Sequence, residues 1–96
     1  MITGFADKAT ADLFHGASAG RLRRIPPDVV RTAIRKLDML NAAAQLEDLR
    51  TPPGNRLEAL RGDLRGHHSI RVNDQWRIVF RWVDGGATEV ALVDYH

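Results

Sequence analysis

Ser69-Ile-Arg-Val-Asn-Asp-Gln-Trp-Arg-Ile-Val-Phe-Arg-Trp-Val-Asp-Gly-Gly-Ala-Thr-Glu-Val-Ala-Leu-Val-Asp-Tyr-His96 ends the chain and decides its architecture. It reads as three strands joined by two turns. The central run alternates with period two. Trp76, Ile78, Phe80 and Trp82 face one way, and Arg77, Val79 and Arg81 face the other. One face is a hydrophobic slab. The other carries two arginines four residues apart, roughly 13 Å along a strand.

The alternation also sets the register. A three-residue loop, Asn73-Asp74-Gln75, brings Val72 opposite Trp76, Ile70 opposite Ile78 and Arg71 opposite Arg77. A shorter turn would mix apolar and charged faces on both strands, which is costly because the side-chain period is two. The favoured register opposes two like charges and so destabilises the strand pair. Removing either arginine is therefore expected to leave stability equal or slightly higher, and an anion is the natural purpose of the pair. At the next turn, a five-residue loop over 83–87 pairs Trp82 with Thr88, Phe80 with Val90 and Ile78 with Leu92. It sends Glu89, Ala91, Val93 and Tyr95 to the arginine face, with Glu89 beside Arg81 and Tyr95 near Arg71 and Arg77.

The upstream chain supplies what covers the slab. Residues 2–5 form a short candidate strand. Asp7 caps a helix running to about His15, with Ala9, Leu13 and Phe14 inward. A Gly/Ala/Ser break over 16–20 follows, and then Arg21, Arg23 and Arg24, which read as a solvated charge run. Pro26-Pro27-Asp28 starts a second helix, which continues to about Ala44. Its apolar stripe is Val30, Ile34, Leu37 and Ala44, widened by Val29, Ala33 and Leu40; Arg31, Arg35, Lys36 and Asp38 take the outer side. A Pro-Pro-Gly loop precedes a strand over 56–60, and 61–66 form a charged, glycine-containing turn. The sum is a single α+β domain over 1–96, an N-terminal strand and two helices packed on one face of a small antiparallel sheet.

Composition narrows the class. A chain of 96 residues buries a modest core, and 44% hydrophobic content is that of a globular protein. No apolar run approaches a membrane span, and the first residues lack the pattern of a signal peptide. Cysteine is missing, which removes disulfides and thiolate metal sites and fits a cytoplasmic location. Twelve of the fourteen basic residues are arginine, Lys8 and Lys36 being the two lysines. Arginine suits bidentate contacts with phosphate. His67 and His68 read as a strand-edge pair, since no close carboxylate cluster completes a ligand set. Neither a metal nor a cofactor is expected.

Three stretches then resemble HigB-type toxins of the RelE/ParE superfamily: Leu57-Glu-Ala-Leu-Arg-Gly-Asp-Leu-Arg-Gly66, Ser69 to Trp82, and the terminal Val93-Asp-Tyr-His96. The similarity spans essentially the whole chain. It implies a RelE-like fold, a cognate HigA-like antitoxin, operator DNA contacted only through that antitoxin, and cleavage of mRNA on the ribosome. Carried over by residue, it implies a catalytic cluster at Asp94, Tyr95 and His96, supported by the sheet arginines Arg71, Arg77 and Arg81. Ribosome-dependent members have a histidine in the strand before the Gly-Asp turn; this chain has Glu58 there. Alternative uses of such a fold are a ParE-like action on DNA gyrase and a non-catalytic nucleic-acid or protein-binding module.

The residues are chemically suited to RNA cleavage. Attack by a 2′-hydroxyl needs a base, an acid for the leaving 5′-oxygen and cations around the phosphorane. Tyr95 and His96 can transfer protons, Arg71 and Arg77 can hold phosphate, and Asp94 can orient the strand end. Glu58 can serve as the base if it shares the arginine face.

Overall fold

The computed structural model describes residues 1–16 and 25–94. Two helices come first, α1 (Lys8–His15) and α2 (Pro27–Ala42). Short 3₁₀ segments follow at Leu46–Arg50 and Pro53–Asn55. The strands β1 (Glu58–Ala59), β2 (His67–Arg71), β3 (Trp76–Val83) and β4 (Gly86–Asp94) complete the order, with one more 3₁₀ turn at Gly62–Leu64. The four strands make an antiparallel sheet in sequential order. The basic cluster Arg21, Arg23 and Arg24, and the terminal Tyr95 and His96, lie outside the described residues.

The β2–β3 hairpin has the register that face purity demands. Ile70 pairs with Ile78 and Arg71 with Arg77. The loop is held by Asn73, whose Oδ1 accepts from the amides of Gln75 and Trp76, each at 2.8 Å. This side chain mimics a turn of backbone and fixes the loop length.

The β3–β4 tip differs from the expected five-residue loop. Trp82 pairs with Ala87 and Val83 with Gly86, leaving the two-residue turn Asp84-Gly85. Both turn residues have positive φ, 50° and 79°. Tight hairpins favour that geometry because it matches strand twist. The change of phase is absorbed by a bulge. Val79 pairs with Ala91 and Arg81 with Thr88, so Glu89 and Val90 together oppose Phe80. Glu89 takes φ 52°. Beyond the bulge, Ile78 faces Leu92 as the alternation requires.

The N-terminal residues lie parallel to β4 but do not form a continuous strand. Ile2 bridges Ala87 and Phe5 bridges Val90. The bulge at Glu89 falls between the two bridges and interrupts the ladder. Gly86 is where this segment comes closest: a Cβ there would sit 2.9 Å from the Met1 carbonyl oxygen.

The helices cover the slab. Asp7 caps α1 through the Thr10 amide at 2.7 Å. Thr10 is buried, and its Oγ1 accepts from the Leu92 amide at 3.0 Å, tying α1 to β4. On α2 the buried stripe is Val29, Ala33, Leu37 and Leu40. Val30 and Ile34, expected at its centre, are half-buried flanks; Ala44 lies past the helix end and is exposed. The phase is therefore turned by about one residue. It meets Ile70, Ile78, Phe80, Ala87 and Val90, all fully buried. Trp76 and Trp82 pack on this core from the two ends of β3, each half-buried. Fully burying a Val, Leu, Ile or Phe contributes roughly 1.5–3 kcal/mol, so this helix-on-sheet contact is a main source of stability.

Candidate active site

Helices occupy the slab side, and among the described residues no α-helix covers the other face of the sheet. Arg77 is its centre. Its Nε donates to Ser69 Oγ at 2.8 Å, and its Nη2 donates to the Arg56 carbonyl at 2.8 Å. The Glu58 carboxylate lies 3.5 Å from the same Nη2. The Arg77 side chain is only 12% exposed. Glu58 pairs with Ser69 across β1 and β2, which puts its carboxylate on the arginine face. Alternation alone left that face undecided for a strand of two residues.

Arg71 stands directly opposite Arg77 and pairs with Asp74 in the hairpin loop. Each arginine thus has its own carboxylate, and the expected like-charge penalty is offset. The Asp74 side chain is 99% exposed, so its pairing with Arg71 is screened and weak. Arg77 is different: its guanidinium is held by protein acceptors, and removing it strands the fully buried Ser69. The expectation that either arginine can be removed at no cost is corrected for Arg77.

Lys36 extends the positive region. Sequence periodicity placed it on the outer side of α2, yet the 3₁₀ segment Pro53–Asn55 covers it and its Nζ donates to Asn55 Oδ1. Asn55 is itself buried, and its Nδ2 donates to the Leu49 carbonyl at 3.1 Å. Burial lowers the pKa of the Lys36 ammonium below its ordinary value, and the nearby Arg35 and Arg71 guanidiniums push it the same way. Sequence carried no signal for this neighbourhood, because it depends on how the 45–55 loop folds back.

Further along the sheet, Arg81 Nη1 lies 3.3 Å from Glu89 Oε2. The two were expected to meet, and they do so through the bulge. Across from them, His67 pairs with Arg81 and shares the open face with Ser69 and Arg71. Its Nε2 lies 3.9 Å from Glu89 Oε1. Alternation splits the histidine pair: His68 turns inward and stacks on Phe80, with ring centroids 6.2 Å apart. Parity with Ser69 and Arg71 is the sequence signal that places His67 on this face. A shallow hollow of about 450 Å³ opens here, floored by Val79, Ala91 and Val93 and rimmed by His67, Glu89, Leu64, Ala6 and Asp94.

The structure thus brings Glu58, Arg71 and Arg77 together and sets Arg81 with Glu89 along the same face. Asp94, the last described residue, sits opposite Trp76 and accepts from Gln75 Nε2 at 3.1 Å. Its neighbour Val93 is opposite Arg77. The expected proton-transfer residues Tyr95 and His96 lie outside the described residues. Among the described residues no group of three or more His, Cys, Asp or Glu is arranged to hold a metal ion.

Residues 3–96 match the family model described as RelE-like toxin of type II toxin-antitoxin system HigB. Toxin HigB-1 of Vibrio cholerae is 45% identical over 92 residues, spanning 96% of this chain and 95% of that protein. Endoribonuclease HigB of Proteus vulgaris is 31% identical over 97 residues, spanning all of both. Among solved structures, a YoeB-YefM complex from Staphylococcus aureus aligns with TM-score 0.63 at 20% identity, covering all of this chain and 95% of that one. A YoeB dimer from the same organism aligns with TM-score 0.58 at 22% identity, covering 99% of this chain and 94% of that one. At these identities the structural likeness concerns the fold.

Proposed function

The chain belongs to the HigB family of RelE-like toxins of type II toxin–antitoxin systems, and from that membership we propose that it is an endoribonuclease that cuts messenger RNA on the ribosome. The observation that carries this reading is the grouping of Glu58, Arg71 and Arg77 on the open face of the sheet. A carboxylate beside two guanidiniums supplies a base and the cations a phosphorane needs. The relative named an endoribonuclease, alignable over its whole length, supports the same chemistry.

In this mechanism Glu58 takes the proton of the 2′-hydroxyl as that oxygen attacks phosphorus. Arg77 is preorganised by Ser69 and Arg56 and stabilises the charge on the non-bridging oxygens. Arg71 opposes it and adds a second cation, while Arg81 holds the RNA backbone further along the sheet. The bond to the 5′-oxygen breaks, and His96 gives that oxygen a proton, with Tyr95 assisting and Asp94 orienting the strand end. The products are a 2′,3′-cyclic phosphate and a 5′-hydroxyl.

Dependence on the ribosome is supported by how little the site holds by itself. Two of the Arg77 donors, at Nε and Nη2, are already engaged by protein acceptors, and the open face is shallow. Positioning supplied by a larger partner then accounts for much of the rate. A HigA-like antitoxin is the natural counterpart, supported by the likeness of the fold to YoeB, which is solved in a YoeB-YefM toxin-antitoxin complex from Staphylococcus aureus. Operator DNA is reached through that antitoxin. The whole chain acts as one unit in the cytoplasm; among the described residues no helix is long and apolar enough to cross a membrane.

The test is to map mRNA 5′ ends in cells after a short induction. New ends inside translated frames are expected. Intact mRNA together with blocked DNA supercoiling would replace this reading by the gyrase one.

A further inference from the structure

Apart from Asp94 at one end, the hollow beside the arginines is not used by the cleavage chemistry above, and its geometry is unusual. Glu89 is the extra residue of the β-bulge and sits at φ 52°. Left-handed backbone is favoured by glycine and tolerated by asparagine or aspartate; a glutamate there is uncommon. Bulges beside functional sites re-aim a side chain, and a residue held in such a conformation points to a use for that side chain. Here the carboxylate is aimed over the hollow. Arg81 holds Oε2 at 3.3 Å, while Oε1 faces His67 Nε2 at 3.9 Å, too far for a hydrogen bond between them.

His67 completes the rim. Its side chain is 17% exposed. Nδ1 is buried and has no hydrogen-bond partner among the described residues, so no protein acceptor or donor fixes the tautomer. Nε2 can therefore donate or accept. Between the two polar groups the floor is apolar, built from the cross-strand pair Val79 and Ala91 with Val93 beside them. Val93 stands opposite Arg77, so the floor is continuous with the row that would hold phosphate.

We propose that this hollow receives one nucleobase of the RNA next to the cleaved bond, with Glu89 and His67 reading its edge. The assignment rests on the endoribonuclease reading above and adds a selectivity to it. The apolar floor takes the face of the base, and the carboxylate accepts from an exocyclic amino group. Adenine, guanine and cytosine carry such a group. Uracil lacks it: its edge has a single donor, N3–H, flanked on both sides by carbonyl oxygens that the carboxylate repels. One nucleotide position at the cleavage site therefore discriminates against uracil by roughly tenfold, within the range of one good base contact.

The experiment maps cleavage sites for the parent, Glu89→Gln and Glu89→Gly, and records thermal melts of all three. Glutamine presents both a donor and an acceptor, so Glu89→Gln is expected to cut with the bias against uracil flattened to within about twofold. Glu89→Gly removes the carboxylate and places glycine at the positive φ; it is expected to lose the bias and melt at or above the parent temperature. A parent without bias, or a Glu89→Gln variant that keeps it, overturns the proposal. Loss of all cleavage in Glu89→Gln overturns it too, by making Glu89 part of the chemistry. A Glu89→Gly variant that melts below the parent makes the residue structural. No cleavage by the parent defeats the endoribonuclease reading itself, and this one with it.

Discussion

Arg71 and Arg77 stand directly opposite each other on β2 and β3, yet each is neutralised by a different carboxylate, Asp74 for the first and Glu58 for the second. The two pairings are unequal. Asp74 is fully in solvent, whereas Arg77 is nearly buried and bonded to Ser69 and Arg56.

The inequality separates the two arginines experimentally. Arg77→Ala should destabilise the fold by about 1–3 kcal/mol, because Ser69 Oγ and the Arg56 carbonyl lose their donor. Arg71→Ala should change stability by less than about 1 kcal/mol, the range of an exposed pair. Both should weaken RNA cleavage. Urea denaturation of the two variants reads the difference, and equal melting would show that Arg77 is not held as described.

Phe80 is fully buried under α2 and carries His68 stacked on its ring. Phe80→Ala should cost about 3–5 kcal/mol, enough to leave little folded protein in a chain of this size. Circular dichroism on cooling and heating measures the loss. A variant melting within a degree or two of the parent would contradict the face assignment.

Gly86 is required by packing rather than by the turn. A Cβ would sit 2.9 Å from the Met1 carbonyl oxygen and 3.2 Å from Thr3 Cγ2. Gly86→Ala should therefore push the N-terminal segment off β4 and cost about 1–3 kcal/mol, as overpacking does. Gly54→Ala is the control, since open space surrounds that position. Comparable melts for the two variants would contradict the close approach.

Lys36 predicts a pH dependence. Its folded pKa lies below the ordinary 10.5, so the unfolded chain binds more protons in the alkaline window beneath that value. Stability contributed by this group therefore rises as pH climbs from the lowered folded value towards 10.5. Lys36→Met removes the group, and the parent should gain stability relative to it over that range. A flat difference between the two from neutral to alkaline pH would contradict the burial of the ammonium.

Several of these features could be read from sequence because a period of two leaves little freedom. The faces of β3, the β2–β3 register and the opposed arginines all follow from it. The β4 register did not follow, because Gly85 and Gly86 look alike on paper and serve different ends. Gly85 makes the turn, while Gly86 admits the N-terminal segment, so the loop is shorter than two glycines suggest. The bulge that repairs the phase rests on a glutamate, a residue with no turn signature. The burial phase of α2 missed by one position because Val29 and Val30, and Ala33 and Ile34, are adjacent apolar pairs between which periodicity chooses poorly. Glu58 lies on a strand too short to alternate, and Lys36 joins the site through a loop whose fold is tertiary.

If mRNA is cut on the ribosome with His96 transferring a proton, both dependences can be read in one assay: cleavage of one defined mRNA, free and ribosome-bound, by the purified parent and by a form lacking His96, both confirmed folded by circular dichroism. The parent should cut bound mRNA and cut free mRNA on the order of a hundredfold more slowly, the scale on which lost positioning acts. The form lacking His96 should cut neither. Equal cleavage of free and bound mRNA by the parent would rule out a need for the ribosome, and full cleavage by the form lacking His96 would remove that residue from the chemistry.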